Sequence, residues 1–323
     1  MPEGHSRSFA FTWAVFATLC IAWGSTWVAI RFGVTSMPPL WFAATRFIVA
    51  GLLLLLLARW LGGWQRIARS DLRPLTVMSA GAISVCFGLI FWGEQYVDSG
   101  TAGVMVQGFV PIGLFFFAAT MTRELIGRTQ WAFLGVGLCG VVLLLYGQSS
   151  SDWSMRKALA AVAIIVGTLV YDWAGVYGGD ILSRYPAALM SAFENLVGGL
   201  ILLPVSLVLE GDQIFRQPLP EETSVWLSWG YLVLVGSVLG FTAYTYLLRA
   251  WGPTRTSAYA FVTPVIALLL GATLADEHIT WQHVMGTVLI LGAVAGITRQ
   301  RNRTPRDDQT TGPAPEALGT PQH

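Results

Sequence analysis

Charge is what this chain has least of. Acidic and basic residues make up only 11% of its 323 positions, and the net charge is +1. A soluble domain carries about 25% charged residues, so an ordinary water-facing surface is excluded, and nothing points to a nucleic-acid-binding face. Cysteine is equally sparse. Cys20, Cys86 and Cys139 lie in apolar stretches without the spacing of metal ligands. Buried free cysteine of this kind acts as a small hydrophobe, so no metal or redox centre is expected. There is no Walker A sequence, which argues against ATP-driven pumping by this chain alone. No cofactor is expected either.

What is present is apolar length. Hydrophobic residues form 54% of the chain, and runs such as 9–30, 39–60 and 186–209 are long enough to cross a hydrocarbon core about 30 Å thick. The first run is too long for a signal-peptide core and contains Trp13, Trp23 and Trp27, so it reads as a retained span. Apolar stretches bounded by charge or turn residues predict ten helices. They fall near 9–31, 39–60, 74–94, 99–120, 129–146, 157–178, 186–209, 225–248, 255–274 and 281–298. The expected fold is all-α, a polytopic membrane protein of ten transmembrane helices.

Two of those segments are broken by proline in matching places, Gly108-Phe109-Val110-Pro111 and Phe261-Val262-Thr263-Pro264. The shift of 153 positions that carries Pro111 onto Pro264 also carries Glu124 onto Glu277 and Ile126 onto Ile279. Repeated, interrupted hydrophobic segments mark the moving parts of transporters. The expected organisation is a first five-helix repeat over 1–147, a polar linker over 148–156, a second repeat over 157–298 and a disordered cytoplasmic tail over 299–323. Five is odd, so the second repeat is inverted relative to the first. With both termini in the cytoplasm, only Arg31, Arg156, Lys157 and Arg216 of the 19 basic residues fall outside. Arg46 lies within a span and the rest fall inside, as the positive-inside rule requires. Trp41, Trp60, Trp64, Trp92, Trp131, Trp226, Trp229, Trp251 and Trp281 fall near span ends, as an aromatic belt would place them.

Particular motifs narrow the class. Trp23-Gly24-Ser25-Thr26-Trp27, Pro38-Pro39, Ala43-Ala44-Thr45-Arg46-Phe47, Gly93-Glu94-Gln95, Val110-Pro111, Gly230-Tyr231-Leu232 and Ser257–Val265 occur in order. Together they resemble the EamA-type carriers of the drug/metabolite transporter superfamily, over about residues 9–298. The resemblance implies a ten-helix fold with a central cavity, alternating access and export of amino acids, other small metabolites or toxic compounds from bacteria across the inner membrane. It does not fix the substrate. Where Trp23-Gly24-Ser25 would recur in the second half the chain reads Tyr171-Asp172-Trp173, so the two walls of such a cavity differ chemically.

Charged groups inside a membrane each cost roughly 2.5–3.5 kcal/mol or more, so Arg46, Asp172, Glu194 and Glu94 each need a reason. Arg46 with Glu94 suits an outer gate or an anion-recognition element, against the plainer readings of a permanent ion pair between spans or of Arg46 snorkelling alone; a reach from Arg46 down to Glu194 would instead tie the two halves across the cavity. Asp172 and Glu194 fall at similar depth, and two carboxylates in a low-dielectric site cannot both ionise cheaply. They are candidate proton carriers, with water contact or an amide partner such as Asn195 as the plain alternative. Trp23 and Trp27 lie one turn apart, Gln107 lies four residues before Pro111, and Tyr259 lies five before Pro264. These four are candidate substrate contacts, against ordinary helix packing. Pro111 and Pro264 are candidate hinges. Gly236/Gly240 and Gly292/Gly296 have the GxxxG spacing of close helix packing.

Gly135-Val136-Gly137-Leu138-Cys139-Gly140 fits the dinucleotide fingerprint, but it lies inside an apolar span rather than between strand and helix. It is a packing face. His278 and His283 beside Asp276 and Glu277 match no metalloenzyme spacing, so an enzyme is not expected. The functional expectation is a secondary carrier for a small organic solute, possible coupling to protons included. The alternative is a channel, or a translocator of a lipid-linked substrate.

Overall fold

The computed structural model describes residues 3–122, 127–147, 154–216 and 220–301. Among them the chain is helical, with no strand. The helices are α1 (Glu3–Val34), α2 (Pro39–Trp60), α3 (Arg69–Ser79), α4 (Cys86–Gly93), α5 (Ser99–Thr122), α6 (Arg128–Gly147), α7 (Met155–Leu182), α8 (Ala187–Arg216), α9 (Thr223–Tyr231), α10 (Gly240–Thr256), α11 (Tyr259–Leu274) and α12 (Trp281–Arg301). A π-helical stretch, Ala80–Val85, joins α3 to α4, and a second, Leu232–Leu239, joins α9 to α10. Six rods are long and apolar enough to cross a membrane: Phe9–Val34, Pro39–Trp60, Arg69–Gly93, Met155–Leu182, Ala187–Arg216 and Thr223–Gly252. Ser99–Leu114, Trp131–Tyr146, Tyr259–Leu274 and Trp281–Gly296 are shorter apolar helices.

Local chemistry sets the ends. Pro39 opens α2, where its missing N–H costs nothing and its φ suits the helix. Gly62, at φ 71°, closes it. The Gly62 and Gly63 amides donate back to the Arg59 and Ala58 carbonyls at 3.3 and 2.8 Å, the double bond of a left-handed helix stop. Ser154 caps α7 by accepting from the Lys157 amide. Asp276, at φ 51°, turns the chain after α11, a conformation aspartate adopts more readily than most residues.

Helices from the two ends of the sequence interdigitate. α2 packs along α8 and α6 along α12, while α5 packs against both α7 and α11. α1 packs against α10 and α11, and α4 against α7. Glycine makes the closest approaches possible. A side chain at Gly51 would meet the Leu196 backbone at 2.5 Å, and one at Gly199 would meet the Ile48 amide at 2.9 Å. Across α6 and α12, a side chain at Gly140 would meet the Gly286 carbonyl at 2.8 Å, and one at Gly286 the Gly140 carbonyl at 2.7 Å. The apparent dinucleotide motif therefore contributes to helix packing, and its Gly135 borders open space. Of the GxxxG glycines, Gly240 faces Trp23 and Gly296 faces Phe133, whereas Gly292 meets nothing within 4 Å. The Gly292/Gly296 spacing is thus not a two-glycine contact.

The outside of the bundle is apolar. Val208 is 82% exposed and Trp60 83%, and Leu56, Leu209 and Leu227 are also open. A contiguous surface of this kind needs lipid rather than water around it. Trp60, Trp64, Trp131, Trp226 and Trp281 are exposed near helix ends. Trp41, Trp92 and Trp229 instead pack against the main core, and the Trp229 indole donates to Thr45 Oγ1 at 3.1 Å.

Candidate functional site

The interior polar groups fall into three places: one end of the bundle, a buried layer just below it, and an aromatic hollow. The loop before α5 and the loop after α11 meet at the first, here called the Ser99 end. Glu277 Oε1 accepts from the Ser99 amide and hydroxyl, each at 2.6 Å, and Glu277 Oε2 accepts from the Gly100 amide at 3.0 Å. A carboxylate from the loop after α11 thus satisfies orphan donors at the start of α5 and meets the positive end of its dipole. Glu210, near the end of α8, does the same for α2, accepting from the Leu40 and Trp41 amides at 2.9 Å each. At the opposite, Asp71 end, Tyr185 donates to Asp71 Oδ2 at 2.8 Å and Arg184 approaches Asp71 Oδ1 at 3.7 Å.

Beneath the Ser99 end lie Arg46 and Glu94, both buried. The Arg46 guanidinium sits over the Phe47 ring at 3.6 Å, with Phe91 and Phe87 at 5.1 and 5.4 Å. Its Nε and both Glu94 carboxylate oxygens lack hydrogen-bond partners. The two charges act on one another through space, but among the described residues they form no ion pair within 4 Å. Arg31 donates to the Glu94 backbone carbonyl. The aromatic cradle of Arg46 was not legible, because Phe47 comes from α2 and Phe87 and Phe91 from α4.

The hollow is built around Trp23. Its ring lies 4.8 Å from Tyr259 and 5.4 Å from Tyr244, and those two lie 6.0 Å apart. The Trp23 indole donates at 3.1 Å to the carbonyl of Gly236, a residue of the second π-helical stretch, where the widened turn disturbs regular carbonyl pairing. Tyr171 stands on the face of α7 that carries Ile164 and Gly178, seven residues either way and both buried, yet it is 41% exposed. It therefore borders a water-accessible space inside the bundle, and its electrostatic neighbours there include Tyr259, Glu194 and Tyr244. Glu194 is half-buried and forms no ion pair among the described residues.

The other expected site residues have distinct places. Trp27 is buried against Gly103 of α5 with its indole nitrogen unpartnered, so it belongs to the core that flanks the hollow. Gln107 donates to Thr263 Oγ1 at 2.8 Å, tying α5 to α11 beside Pro264. Asp172 is fully buried with both oxygens unpartnered, directly opposite Gly113. Asp172 is therefore sealed, whereas Glu194 is open to the hollow. Asn195 donates to its own helix, at the Ser191 carbonyl, rather than to Glu194. Pro264 is buried within α11. Pro111 lies within the helical run of α5, but its side chain, like all of Glu124 and Ile126, the segment 148–153 and the tail from 302, lies outside the described residues.

Sequence comparison agrees with this arrangement. The profile of the EamA-like transporter family matches residues 10–146 and again 158–299. The chain belongs to the EamA-like transporter family. An EamA-like relative from Escherichia coli K12, "Uncharacterized inner membrane transporter YedA", is 34% identical over 88% of this chain and 89% of that protein. Another, from Salmonella typhimurium, "Probable amino-acid metabolite efflux pump", is 26% identical over 85% of this chain and 90% of its own length. A solved structure, "Crystal structure of protein", shares the fold with a TM-score of 0.61 at 18% identity, covering 91% of this chain and 98% of that one. As an EamA-like protein the chain is a membrane transporter, not an enzyme, and its partners are the bilayer and a small-molecule substrate.

Sequence reasoning missed Glu277 and Glu210 as caps, because a cap supplied from a distant part of the chain leaves no local signature. The repeat had already singled out Glu277, without giving it a role. Tyr171 was noted only as part of the segment that replaces the opening motif, and Tyr244 was missed as a wall of the hollow, since an aromatic residue in an apolar helix looks the same whether it faces lipid, core or cavity.

Proposed function

We propose that this chain is a secondary carrier that exports a small organic metabolite by alternating access across a bacterial plasma membrane. The cargo class includes amino acids, related compounds and toxic analogues, in keeping with the efflux-pump name of the Salmonella relative. The carrier has ten spans in two inverted repeats, bounded at 1–147 and 157–298, with a linker at 148–156. Both termini and the tail from 299 face the cytoplasm. The Ser99 end, with Arg31, Arg156, Lys157 and Arg216, is periplasmic; the Asp71 end, with Arg59, Arg66, Arg69, Arg73, Arg184, Arg249 and Arg255, is cytoplasmic.

The observation that carries this reading is the way the packing repeats under exchange of the two halves. The same shift of 153 that relates Pro111 to Pro264 takes the π-helical stretch Ala80–Val85 onto 233–238, inside Leu232–Leu239. The pairing of α4 with α7 corresponds to that of α10 with α1, and the pairing of α5 with α7 to that of α11 with α1. The two family matches, at 10–146 and 158–299, support the same division. Two similar units wrapped around a shared hollow, one end of which is latched, are the makings of a rocking carrier. Arg46 and Glu94 lie behind that latch as gate elements, Pro111 and Pro264 serve as hinges, and Trp23, Trp27, Gln107 and Tyr259 line or support the cargo path. Asp172, sealed, and Glu194, open, are the pair through which a proton would be exchanged as access alternates.

The test is flux in liposomes containing the purified chain and an internal pH dye. A panel of amino acids, amines and sugar acids is presented under an imposed proton gradient. Saturable movement of one class, with solute-dependent proton flux that is lost in Asp172→Asn and Glu194→Gln, is the expected result. Saturable movement without proton flux removes the coupling and keeps the carrier; no saturable movement of any member contradicts the proposed cargo range.

A further inference from the structure

We propose that His283 is a proton-sensitive clasp: acid on the Ser99 side releases the turn that carries Glu277 and so opens the latch at that end. This is a regulation of the closed end of the carrier, and it rests on the carrier reading only in calling that end the outer one. His283 is 3% exposed and lies in the first turn of α12, three residues after Thr280. Its Nδ1 accepts from the Thr280 backbone amide at 3.0 Å, and the Thr280 hydroxyl lies 2.9 Å from the same nitrogen. The imidazole thus takes the place of the Glu or Gln that reaches back to the N-cap amide in a capping box. An amide can only donate, so Nδ1 carries no proton here and the neutral ring keeps its hydrogen on Nε2. A proton on Nδ1 would set two donors against each other and put a full positive charge at the positive end of the α12 dipole. The charged ring therefore leaves this place.

Clasp and latch share one turn and one cavity. The turn is held at its start by the Ala275 and Glu277 amides, which donate to the Gly271 carbonyl at 3.0 and 3.1 Å, and at its end by His283. Between those ties Glu277 reaches across to Ser99 and Gly100. His283, Glu277, Asp98, Thr101 and His278 line the same small cavity, with Leu268 of α11, and Thr101 Oγ1 has no partner there. Asp98, just before α5, is the carboxylate towards which a charged ring turns, since Glu277 is occupied by the α5 amides. Asp276 and His278, on the turn itself, are exposed. From α6, among the described residues, Leu144 packs on Gly286 and Tyr146 is exposed. No arginine or lysine is among the residues that line the cavity. Closure is thus tied to the neutral ring. It holds above the ordinary imidazole range, about pH 6.5, and weakens by about tenfold between pH 7.5 and 5.5.

The experiment is maleimide labelling of Thr101→Cys from the Ser99 side, in the full chain with Cys20, Cys86 and Cys139 replaced, in sealed vesicles at pH 7.5 and 5.5. Each rate is divided by that of Glu221→Cys, an exposed position between α8 and α9 at the same end, which removes the pH dependence of the thiol. The ratio is expected to rise about tenfold in acid. His283→Asn, whose Oδ1 accepts from the Thr280 amide without titrating, is expected to label slowly at both values. His283→Ala, with no acceptor, is expected to label rapidly at both, and His278→Gln to keep the acid response. Melting curves that match the unmodified chain establish that each variant is folded, and the two-pH comparison with His283 in place needs none of them. An equal ratio at the two pH values, or an acid response undiminished in folded His283→Asn, overturns the inference. Saturable liposome flux keeps the carrier in either case, and its absence removes the carrier while leaving the labelling result as it stands.

Discussion

Glu277→Gln is expected to unlatch the Ser99 end and expose residues now sealed beneath it. The carboxylate accepts from two backbone amides at 2.6 and 3.0 Å and from one hydroxyl at 2.6 Å. Hydrogen bonds to a charged group contribute about 1.5–3 kcal/mol, and helix-start caps about 0.5–2 kcal/mol. The glutamine oxygen can still accept, but its amide nitrogen faces the Gly100 or Ser99 donor instead of satisfying it. A net loss of about 2 kcal/mol corresponds to a roughly 30-fold shift between closed and open forms. Thr101, 1% exposed, borders the small cavity formed with Asp98, Glu277 and His283, so it reports on that seal. With Cys20, Cys86 and Cys139 replaced, a Thr101→Cys chain should react slowly with a membrane-impermeant maleimide applied at the Ser99 side. Adding Glu277→Gln should accelerate the reaction by roughly 30-fold. Equal rates would show that Glu277 merely decorates the loop.

The second large effect is expected at Arg46 and Glu94, where removing one charge is worse than removing both. Neither group has a full set of hydrogen bonds, so Arg46 relies on the field of Glu94 and on the Phe47 face, and Glu94 on the fields of Arg31 and then Arg46. Deleting one partner of a buried charge pair costs about 3–5 kcal/mol, because it leaves the other uncompensated, whereas replacing both is often close to neutral. Arg46→Met and Glu94→Gln alone are therefore each expected to lower the thermal unfolding midpoint in detergent clearly, and the double variant to recover most of the loss. Additive losses would mean that the charges act independently, and that Arg46 is held by its phenylalanine cradle alone.

The sequence made the helices legible because apolar length is a strong signal in a chain so poor in charge. Each of the ten apolar stretches lies on a helix or on a helix–π–helix rod, and Pro39 and Gly62 announced the ends of α2. The π-helical stretches were not legible, because Ala80–Val85 and Leu232–Leu239 have the composition of any apolar helix. Of the candidate site, Trp23 and Tyr259, singled out separately, lie together, and Gln107 reaches the proline-broken helix. Depth along a helix placed Asp172 and Glu194 at one level, but only packing could reveal that Asp172 is sealed opposite Gly113 while Glu194 is half-buried. Likewise a permanent Arg46–Glu94 ion pair was one of the readings open for these residues, and rings from α2 and α4 lie against that guanidinium instead. Periodicity reports which side of a helix is apolar; it carries no information about which neighbour arrives there.

The central claim, that one hollow is reached from the two faces of the membrane in turn, is most directly tested by a single cysteine in place of Tyr171. In a chain otherwise free of cysteine, an impermeant maleimide is applied to one face or the other of sealed vesicles. The account predicts labelling from both faces, slower from the Ser99 side, where Glu277 and Glu210 hold the helices closed, and with no ion conductance. Labelling from one face alone, or rapid labelling from both together with a steady current, would contradict it.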